Sequence, residues 1–307
     1  MKRIAFLFPG QGSQAVGMGR SFHERSELAR SVFAQADEIL GYSLSRLCFE
    51  GPEEELKLTQ NTQPALLVVS HIAARLLERT PVVAAGHSLG EYSALVAAGA
   101  LRFEDAVLLV HKRGRYMQEA VPVGQGAMAA VLGMSGEDLQ EALTRVTRGV
   151  VQIANWNSRE QLVIAGHKEA VEEALAIAHP PRAMMLPVSA PFHSALMKSA
   201  EERLAADLDR TEFMDLEFPV ITNVDAQPIR TAAEARDALK RQVSRPVLWY
   251  DSMNRLGRES IDVFVELGSG KVLTGLLKRI GRGWPHPFAA FNVEDADSLD
   301  RARSSIF

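Results

Sequence analysis

The sequence feature that most constrains the fold is a glycine-flanked turn, Gly86-His87-Ser88-Leu89-Gly90, between an apolar run at 82–85 and helical sequence at 91–98. The two glycines permit a turn that is too tight for a Cβ atom. Such a turn presents its central residue at the carboxyl end of a strand and at the start of a helix. Because strand, sharp turn and helix in succession are the unit of parallel sheets, we predict an α/β fold.

Two further apolar runs, 4–8 and 263–267, are short and continuous, which is typical of strands buried on both faces. A helix is predicted over 64–79, starting at Pro64, because proline favours the first turn of a helix. Together with the turn around Ser88, these elements predict a large hydrolase-like α/β domain with a mainly parallel sheet.

The segment 122–188 follows a different pattern. Strands are predicted at 127–132, 150–154, 161–165 and 183–188, and helices at 136–146 and 168–178. This β-α-β-β-α-β order is that of a ferredoxin-like domain. We therefore predict a small ferredoxin-like (βαββαβ) domain at 122–188, inserted into a large catalytic domain formed by 1–121 and 189–307, with the functional cleft between them.

Composition excludes several classes of function. Of the 307 residues, 47% are apolar and 23% are charged, as in an ordinary globular protein. A formal net charge of −4 provides no basic field for nucleic acid. The one cysteine, Cys48, excludes an internal disulfide framework and a thiolate metal cluster. No group of His, Cys, Asp and Glu has the spacing of metal ligands, so no metal site is predicted.

The chain is expected to be a cytoplasmic monomer. A single cysteine suits a reducing compartment. The basic start, Met1-Lys2-Arg3, precedes only five apolar residues, fewer than the apolar core of a secretion signal contains. No stretch approaches the length of a membrane span, so a membrane partner is not predicted either.

The turn around Ser88 matches the nucleophile elbow, in which a serine hydroxyl stands exposed above the sheet. A serine needs a base to become a good nucleophile. Of the eight histidines, His71 and His111 lie in helical sequence, whereas His193 lies in a proline-containing loop where the chain leaves the inserted domain. Loops at domain junctions often carry catalytic groups, although His193 could also be an ordinary loop histidine. Spacing selects no carboxylate as a third member.

Arg113 shares the inward-facing stripe of the helix predicted over 104–119, whereas Lys112 and Arg115 point elsewhere. Two interpretations are open. The guanidinium could extend outward to solvent, or it could bind a planar anion such as a carboxylate through two parallel hydrogen bonds.

Two glycine-rich motifs are poor matches to nucleotide-binding loops. Residues 10–15 fit G-x-G-x-x-A, but no second strand ending in an acidic residue follows at about twenty residues. Residues 268–271 lack the glycine spacing of a phosphate-binding loop and precede a valine. We interpret the second motif as a strand-to-helix turn.

Several blocks along nearly the whole chain resemble the malonyl-CoA:acyl carrier protein transacylase family, the acyltransferases of fatty acid and polyketide synthesis. In chain order they are FPGQGSQ (8–14), GHSLGEYS (86–93), the run from Arg113 to Ala120, NWNS (155–158), PFH (191–193), ITNV (221–224), Gln242 ahead of Pro246-Val247, and ELGSGKVLTG (266–275). Their common order is far more specific than any single block.

The resemblance implies a catalytic role for five residues. Ser88 would be the nucleophile and His193 its base, while Gln242 would supply a neutral oxygen from its side chain or main chain. The main-chain N–H groups of Gln11 and Leu89 would form the oxyanion hole. The implied chemistry is a ping-pong transfer through a malonyl-serine, with the coenzyme A thioester as substrate and no bound cofactor.

The resemblance also implies substrate contacts. Arg113 would pair with the malonyl carboxylate, Asn155 and Asn157 would line the cleft, and Phe192 resembles the residue of malonyl-selective members.

The expected partners are malonyl-CoA and holo acyl carrier protein, which is acidic in this family. The basic residues Arg182 and Lys278 are candidates for docking the carrier protein.

Three alternatives remain open from the sequence. A serine hydrolase or thioesterase would share the elbow and the histidine. A non-catalytic acyl or nucleotide-binding module would use them as structure only. Within the family, the chain could instead serve a polyketide synthase as a trans-acting acyltransferase.

Overall fold

The structure is a computed structural model and describes residues 2–188 and 190–306. The strands within this part of the chain are β1 (Ile4–Phe8), β2 (Val83–Gly86), β3 (Gly126–Leu132), β4 (Val151–Ser158), β5 (Gln161–His167), β6 (Arg182–Met185), β7 (Val220–Ile221), β8 (Pro228–Ile229), β9 (Val263–Leu267) and β10 (Ala289–Val293).

The α-helices of the described residues alternate with these strands. They are α1 (Arg20–Arg25), α2 (Glu27–Leu40), α3 (Leu44–Glu50), α4 (Glu53–Leu56), α5 (Thr59–Leu77), α6 (Gly90–Ala97), α7 (Phe103–Glu119), α8 (Gly136–Leu143), α9 (Lys168–Ala178), α10 (Lys198–Arg210), α11 (Ala232–Gln242), α12 (Trp249–Leu256), α13 (Val272–Ile280) and α14 (Ala296–Ile306). Two single-turn 3-10 helices lie at Ala195–Met197 and Gly281–Gly283.

Strand β1 lies near the centre of the large sheet, where a strand is covered on both faces. All five of its residues are accordingly buried and apolar. The strand order is β10-β9-β1-β2-β7-β8. Each neighbouring pair is parallel except β7 with β8, which is antiparallel. The carboxyl ends of β1, β2, β7 and β9 therefore meet at one edge, where an α/β protein places its functional loops.

The small sheet is antiparallel, with strand order β4-β5-β3-β6. Helices α8 and α9 pack on it around an apolar cluster of its own, which includes Leu139, Ile164 and Val171. The α/β class, the mainly parallel large sheet and the βαββαβ order are thus confirmed. The small sheet lies between Gly126 and Met185; the boundaries 122 and 188 stay a prediction.

Helix α5 differs from its prediction, since it begins at Thr59 and contains Pro64 in its interior. A proline inside a helix has no N–H, so the carbonyl one turn earlier loses its helical partner. That carbonyl belongs to Gln60, and the imidazole Nδ1 of His111 on α7 lies 3.0 Å from it. His111 thus supplies the hydrogen bond that Pro64 cannot. The prediction was wrong about the start of this helix because it assumed that the proline lies in the first turn.

The other elements agree with the prediction to within a few residues, with two larger differences. Strand β4 continues to Ser158, four residues beyond the predicted end, and β6 ends at Met185 rather than at 188. The extension of β4 is stabilised from outside its sheet, because Trp156 and Ala154 exchange main-chain hydrogen bonds with Val247. Among the described residues no helix has the length and apolarity needed to cross a membrane.

Candidate active site

The turn between β2 and α6 places Ser88 at the carboxyl edge of the large sheet. Ser88 has a φ of 53°, in the left-handed region that side chains rarely adopt. A Cβ on Gly86 would lie 1.9 Å from the main chain of Gly90, and one on Gly90 would lie 2.0 Å from the carbonyl oxygen of Phe8. Gly86 is therefore required for the tight turn from β2 into α6, and Gly90 for the close approach of α6 to β1.

Ser88 and His193 are in direct contact, although 105 residues separate them along the chain. The serine Oγ lies 2.7 Å from His193 Nε2. On the other side of the ring, Nδ1 lies 2.9 Å from the main-chain oxygen of Gln242. Because a carbonyl can only accept, Nδ1 carries the proton and Nε2 is free to accept the serine proton.

The environment keeps this imidazole neutral. Burial, and to a lesser extent the charge of Arg113, lower the pKa of His193 to about 3. A histidine with this pKa is unprotonated at neutral pH and available as a general base.

Gln242 contacts the imidazole through its main-chain oxygen, one of the two possibilities that the resemblance implies, and its catalytic role stays a prediction. Its side chain has different partners: Oε1 accepts from Arg113 at 3.0 Å, and Nε2 donates to the Ser88 carbonyl at 3.0 Å and to Glu91 at 2.8 Å. With no exposed surface, this side chain links the elbow to Arg113.

Arg113 is buried, with 1% of its surface exposed, which excludes the interpretation that it extends to solvent. Its guanidinium donates to Ser88 Oγ at 3.1 Å, Gln242 Oε1 at 3.0 Å and Gln63 Oε1 at 2.8 Å, while Nε has no partner among the residues that the structure describes. Within the described residues it forms no ion pair. A buried cation with only neutral acceptors can still bind a carboxylate.

Two residues outside the predicted set hold the elbow in place. Asn223, which follows β7, accepts from the Ser88 N–H at 2.6 Å and donates to the Gly86 carbonyl at 2.6 Å. Glu91, fully buried on α6, accepts from the Asn223 N–H at 2.9 Å. Burial raises the pKa of Glu91 to about 7. Both residues lie within the family-like blocks, which is the only sequence signal that marks them.

A cavity of about 230 Å³ opens in front of Ser88. One part of its lining comes from the loops of the large sheet and from the connection between α4 and α5. These residues are Gln11, Gly12, Gln14, Lys57, His87 and Ser88. The remainder comes from the small sheet and the chain leaving it: Met128, Asn155, Leu186, Pro187, Val188, Phe192 and His193. Much of this second wall is apolar, so the cavity accommodates an aliphatic arm better than a highly charged group.

Of the two predicted oxyanion-hole residues, Gln11 lines this cavity and Leu89 follows Ser88 in the chain. The side-chain amide of Gln11 donates to Thr59 Oγ1 at 3.3 Å. Leu89 directly precedes α6, where main-chain N–H groups have no acceptor inside the helix. The role of either N–H group stays a prediction.

The two predicted asparagines differ in their surroundings. Asn155 lines the cavity, as does Phe192. Asn157 is not among the cavity-lining residues of the described chain, and its amide oxygen lies 2.8 Å from His87 Nε2. Asn157 thus contacts His87 of the elbow, which itself lines the cavity, and its role in substrate binding stays a prediction.

The two basic residues predicted for docking lie apart from the cavity lining that the structure describes. Arg182 is the first residue of β6, and Lys278 lies in the last turn of α13; both are exposed. Their docking role stays a prediction. No cluster of potential metal ligands occurs within residues 2–188 and 190–306.

Comparison with known proteins connects this site to a family. A family profile described as "Acyl transferase domain" matches residues 5–298. The "Malonyl CoA-acyl carrier protein transacylase" of Bacillus subtilis (strain 168) is 49% identical over 314 residues, which cover 100% of this chain and 98% of the relative. The protein of the same name from Salmonella typhimurium is 47% identical over 288 residues, 91% of this chain and 93% of the relative.

Solved structures agree over the same length. The malonyl CoA-acyl carrier protein transacylase from Coxiella burnetii superposes with a TM-score of 0.95 at 42% identity, covering 99% of this chain and 97% of the other. A type II PKS acyl-carrier protein in complex with its malonyl-transacylase gives the same TM-score, 0.95, at 42% identity and 99% coverage of both chains. With its serine, histidine and buried arginine in contact, the chain belongs to the acyl transferase domain family, among the malonyl CoA-acyl carrier protein transacylases.

Proposed function

We propose that the chain transfers a malonyl group from malonyl-CoA to the phosphopantetheine thiol of an acyl carrier protein, through a malonyl-serine at Ser88. One observation carries this proposal. Ser88 Oγ lies 2.7 Å from a neutral imidazole and 3.1 Å from a buried guanidinium that forms no ion pair among the described residues. The first contact suits a nucleophile, and the second suits an acyl group that ends in a carboxylate.

In the first half-reaction Ser88 attacks the thioester carbonyl. The bond from Oγ to the carbonyl carbon forms as the hydroxyl proton moves to His193 Nε2. The N–H groups of Gln11 and Leu89 would stabilise the oxyanion. Collapse of the tetrahedral intermediate breaks the carbon–sulfur bond, and His193 returns its proton to the leaving coenzyme A thiolate.

The second half-reaction runs through the same groups in reverse. The carrier-protein thiol gives its proton to His193 and its sulfur bonds to the malonyl carbonyl carbon. The ester bond to Ser88 then breaks, and the proton returns to the serine oxygen. The Gln242 carbonyl holds the Nδ1 proton throughout, so the imidazole keeps one tautomer between half-reactions.

Arg113 would select the acyl group. A malonyl group esterified to Ser88 carries its carboxylate three bonds from the ester carbonyl oxygen, within reach of a guanidinium that already contacts Oγ. An acetyl group offers no charge to this cation, and the unpaired guanidinium then remains desolvated.

The partners follow from this chemistry. Malonyl-CoA and holo acyl carrier protein are the two substrates, and the reaction requires no bound cofactor. We place the activity in the cytoplasm and in a large domain of 1–121 and 189–307, with 122–188 as the inserted ferredoxin-like domain. Arg182 and Lys278 are proposed to contact the carrier protein, whose acidic surface a chain of net charge −4 must meet with local basic groups.

The experiment is the intact mass of the protein after brief exposure to malonyl-CoA or acetyl-CoA, followed by addition of holo acyl carrier protein. We expect a malonyl adduct that the carrier protein discharges, and no adduct in Ser88→Ala. The matched control is Ser93→Ala on α6, the helix that follows the turn, because the Ser93 hydroxyl is buried and has no hydrogen-bond partner within the described chain; this variant should acylate normally.

Other outcomes separate the alternatives. A malonyl adduct lost to water as fast as to carrier protein would indicate a thioesterase. An adduct retained by Ser88→Ala would refute the nucleophile. An adduct with acetyl-CoA alone would remove the role proposed for Arg113. Discharge only by a polyketide-synthase carrier protein would assign the chain to polyketide rather than fatty acid synthesis.

A further inference from the structure

The main chain around His193 is held by a side chain from the small sheet. On β4, the amide of Gln152 has both of its ends bound to this segment: Nε2 donates to the His193 carbonyl at 3.3 Å, and Oε1 accepts from the Ala195 N–H at 3.0 Å. One planar amide thus spans three consecutive residues of the loop that carries the histidine. We infer that Gln152 is a positioning residue for His193, an inference that rests on the base role proposed for that histidine.

His193 needs such support because its backbone is strained. Its φ is 57°, in the left-handed region, which costs free energy for any residue other than glycine. The residues from Ala190 to Ser194 belong to no helix or strand, so no ladder of main-chain hydrogen bonds holds them. The two hydrogen bonds of the imidazole hold the ring, while those of Gln152 hold the main chain from which the ring projects.

Within the described part of the chain, Gln152 makes no hydrogen bond to the side chains of Ser88, His193 or Arg113. It is half-buried and is not among the cavity-lining residues that the structure describes. Removal of the amide should therefore move the base without altering the contact that selects the acyl group.

The same strand is anchored to the chain beyond Gln242. Val247 donates its N–H to the Ala154 carbonyl at 2.8 Å and accepts from the Trp156 N–H at 2.9 Å. Strand β4 thus contacts both the loop that carries the base and the segment that follows the acceptor of the base's Nδ1 proton.

The test compares Gln152→Leu, which removes both hydrogen bonds, and Gln152→Glu, which keeps the acceptor for Ala195 but cannot donate to the His193 carbonyl. The matched control is Gln140→Leu, since Gln140 is exposed on α8 of the same sheet-and-helix unit. Two quantities are measured: the rate of Ser88 acylation by malonyl-CoA and by acetyl-CoA, and the rate of labelling by a fluorophosphonate. In the labelling reaction the Ser88 oxygen bonds to phosphorus, fluoride leaves and the proton passes to His193.

We expect both variants to lower the maximal acylation rate and the labelling rate by about tenfold, because a small displacement of a base has a large effect on rate. The malonyl and acetyl rates should fall by the same factor. The malonyl-CoA concentration giving half the maximal rate should stay unchanged, as should the thermal midpoint relative to the control. A merely structural role would instead lower the thermal midpoint, and the maximal rate would not fall on its own at an unchanged midpoint and half-saturating concentration.

Labelling within twofold of the unmodified protein in a folded variant would overturn the inference, as would a selective loss of malonyl transfer or a raised half-saturating concentration. If Gln152→Leu does not fold, Gln152→Glu decides. Failure of the proposed function would be recognised separately, because the unmodified protein would then react with the fluorophosphonate but form no malonyl adduct. The labelling rates of the variants would still test the role of Gln152.

Discussion

At the scale of single residues, the site is built around a cation, Arg113, that contacts no counter-charge in the described part of the chain. Burial lowers the pKa of Arg113, since desolvation disfavours its charged form. Neutral oxygens from Gln63, Gln242 and Ser88 compensate in part, and the ring of Tyr92 lies 5.5 Å from the guanidinium carbon. In the proposed mechanism a substrate carboxylate would supply the missing charge, so that binding energy and acyl selectivity would have the same source.

Arg113→Ala should therefore reduce kcat/KM for malonyl-CoA by about 100- to 1,000-fold, the usual consequence of removing one partner of a buried ion pair. Acetyl transfer should fall far less or rise, because no buried cation is then left unpaired. Steady-state kinetics with both donors measure the ratio. Arg115→Ala is the control, since Arg115 is exposed on the same helix and pairs with Glu119 at 3.8 Å. An equal loss for both donors would contradict a role in carboxylate recognition.

At the scale of elements, the unit β2–turn–α6 depends on backbone contacts that admit no side chain. Helix α6 passes so close to β1 that the first residue of the helix must be glycine. The obstacle to a Cβ on Gly90 is the carbonyl of Phe8, a main-chain atom of a fully buried central strand. A flexible neighbour could move aside, but this strand cannot without disturbing the sheet.

Two glycine substitutions in helices should consequently have opposite effects. Gly90→Ala should lower the free energy of unfolding by about 3 kcal/mol or more, because its Cβ overlaps main-chain atoms. Gly275→Ala on α13 should raise it by about 0.5–1 kcal/mol, since its Cβ would meet nothing within 4 Å and alanine favours the helix. Urea unfolding measures both. Equal effects would show that the close approach of α6 to β1 does not limit the side chain.

At the scale of the whole molecule, the large-sheet elements converge on one buried carboxyl. Glu91 on α6 receives hydrogen bonds from Asn223 beyond β7 and from Gln242 on α11. Its Oε1 has no partner among the described residues. Burial raises its pKa from 4.5 to about 7, so the folded protein binds the Glu91 proton more tightly than the unfolded chain does.

The sign of the pH dependence follows from this raised pKa. The contribution of Glu91 to stability is fully present below pH 4.5 and is lost as the pH rises through about 7. Glu91→Gln keeps an acceptor for both hydrogen bonds but has no proton to lose. Relative to this variant, the unmodified protein should lose a few kcal/mol of unfolding free energy between pH 5 and pH 8.

Urea unfolding at pH 5 and pH 8 measures this difference. Glu137→Gln, at an exposed position on α8, is the control and should follow the unmodified protein at both pH values. A difference between Glu91→Gln and the unmodified protein that is independent of pH would mean that Glu91 keeps the same protonation state across this range.

The local features of this protein were predictable from sequence alone. Apolar runs closed by glycine predicted β1 and β9 at their observed bounds, and the order βαββαβ followed from short-range periodicity. The elbow around Ser88 was recognisable because its glycines are chain neighbours of the serine. These features depend on residues a few positions apart, where backbone geometry and side-chain periodicity act directly.

The tertiary structure alone decided the connections between distant segments. The Gln242 carbonyl contacts the imidazole of His193, and Asn223 holds the elbow from 135 residues away. The same holds for Gln152 at the main chain of His193, 41 residues apart in sequence. No local pattern encodes such pairs, because a hydrogen bond between distant residues exists only after packing has placed both strands and both loops. The sequence thus determined which groups are available for chemistry, and packing determined which of their atoms meet.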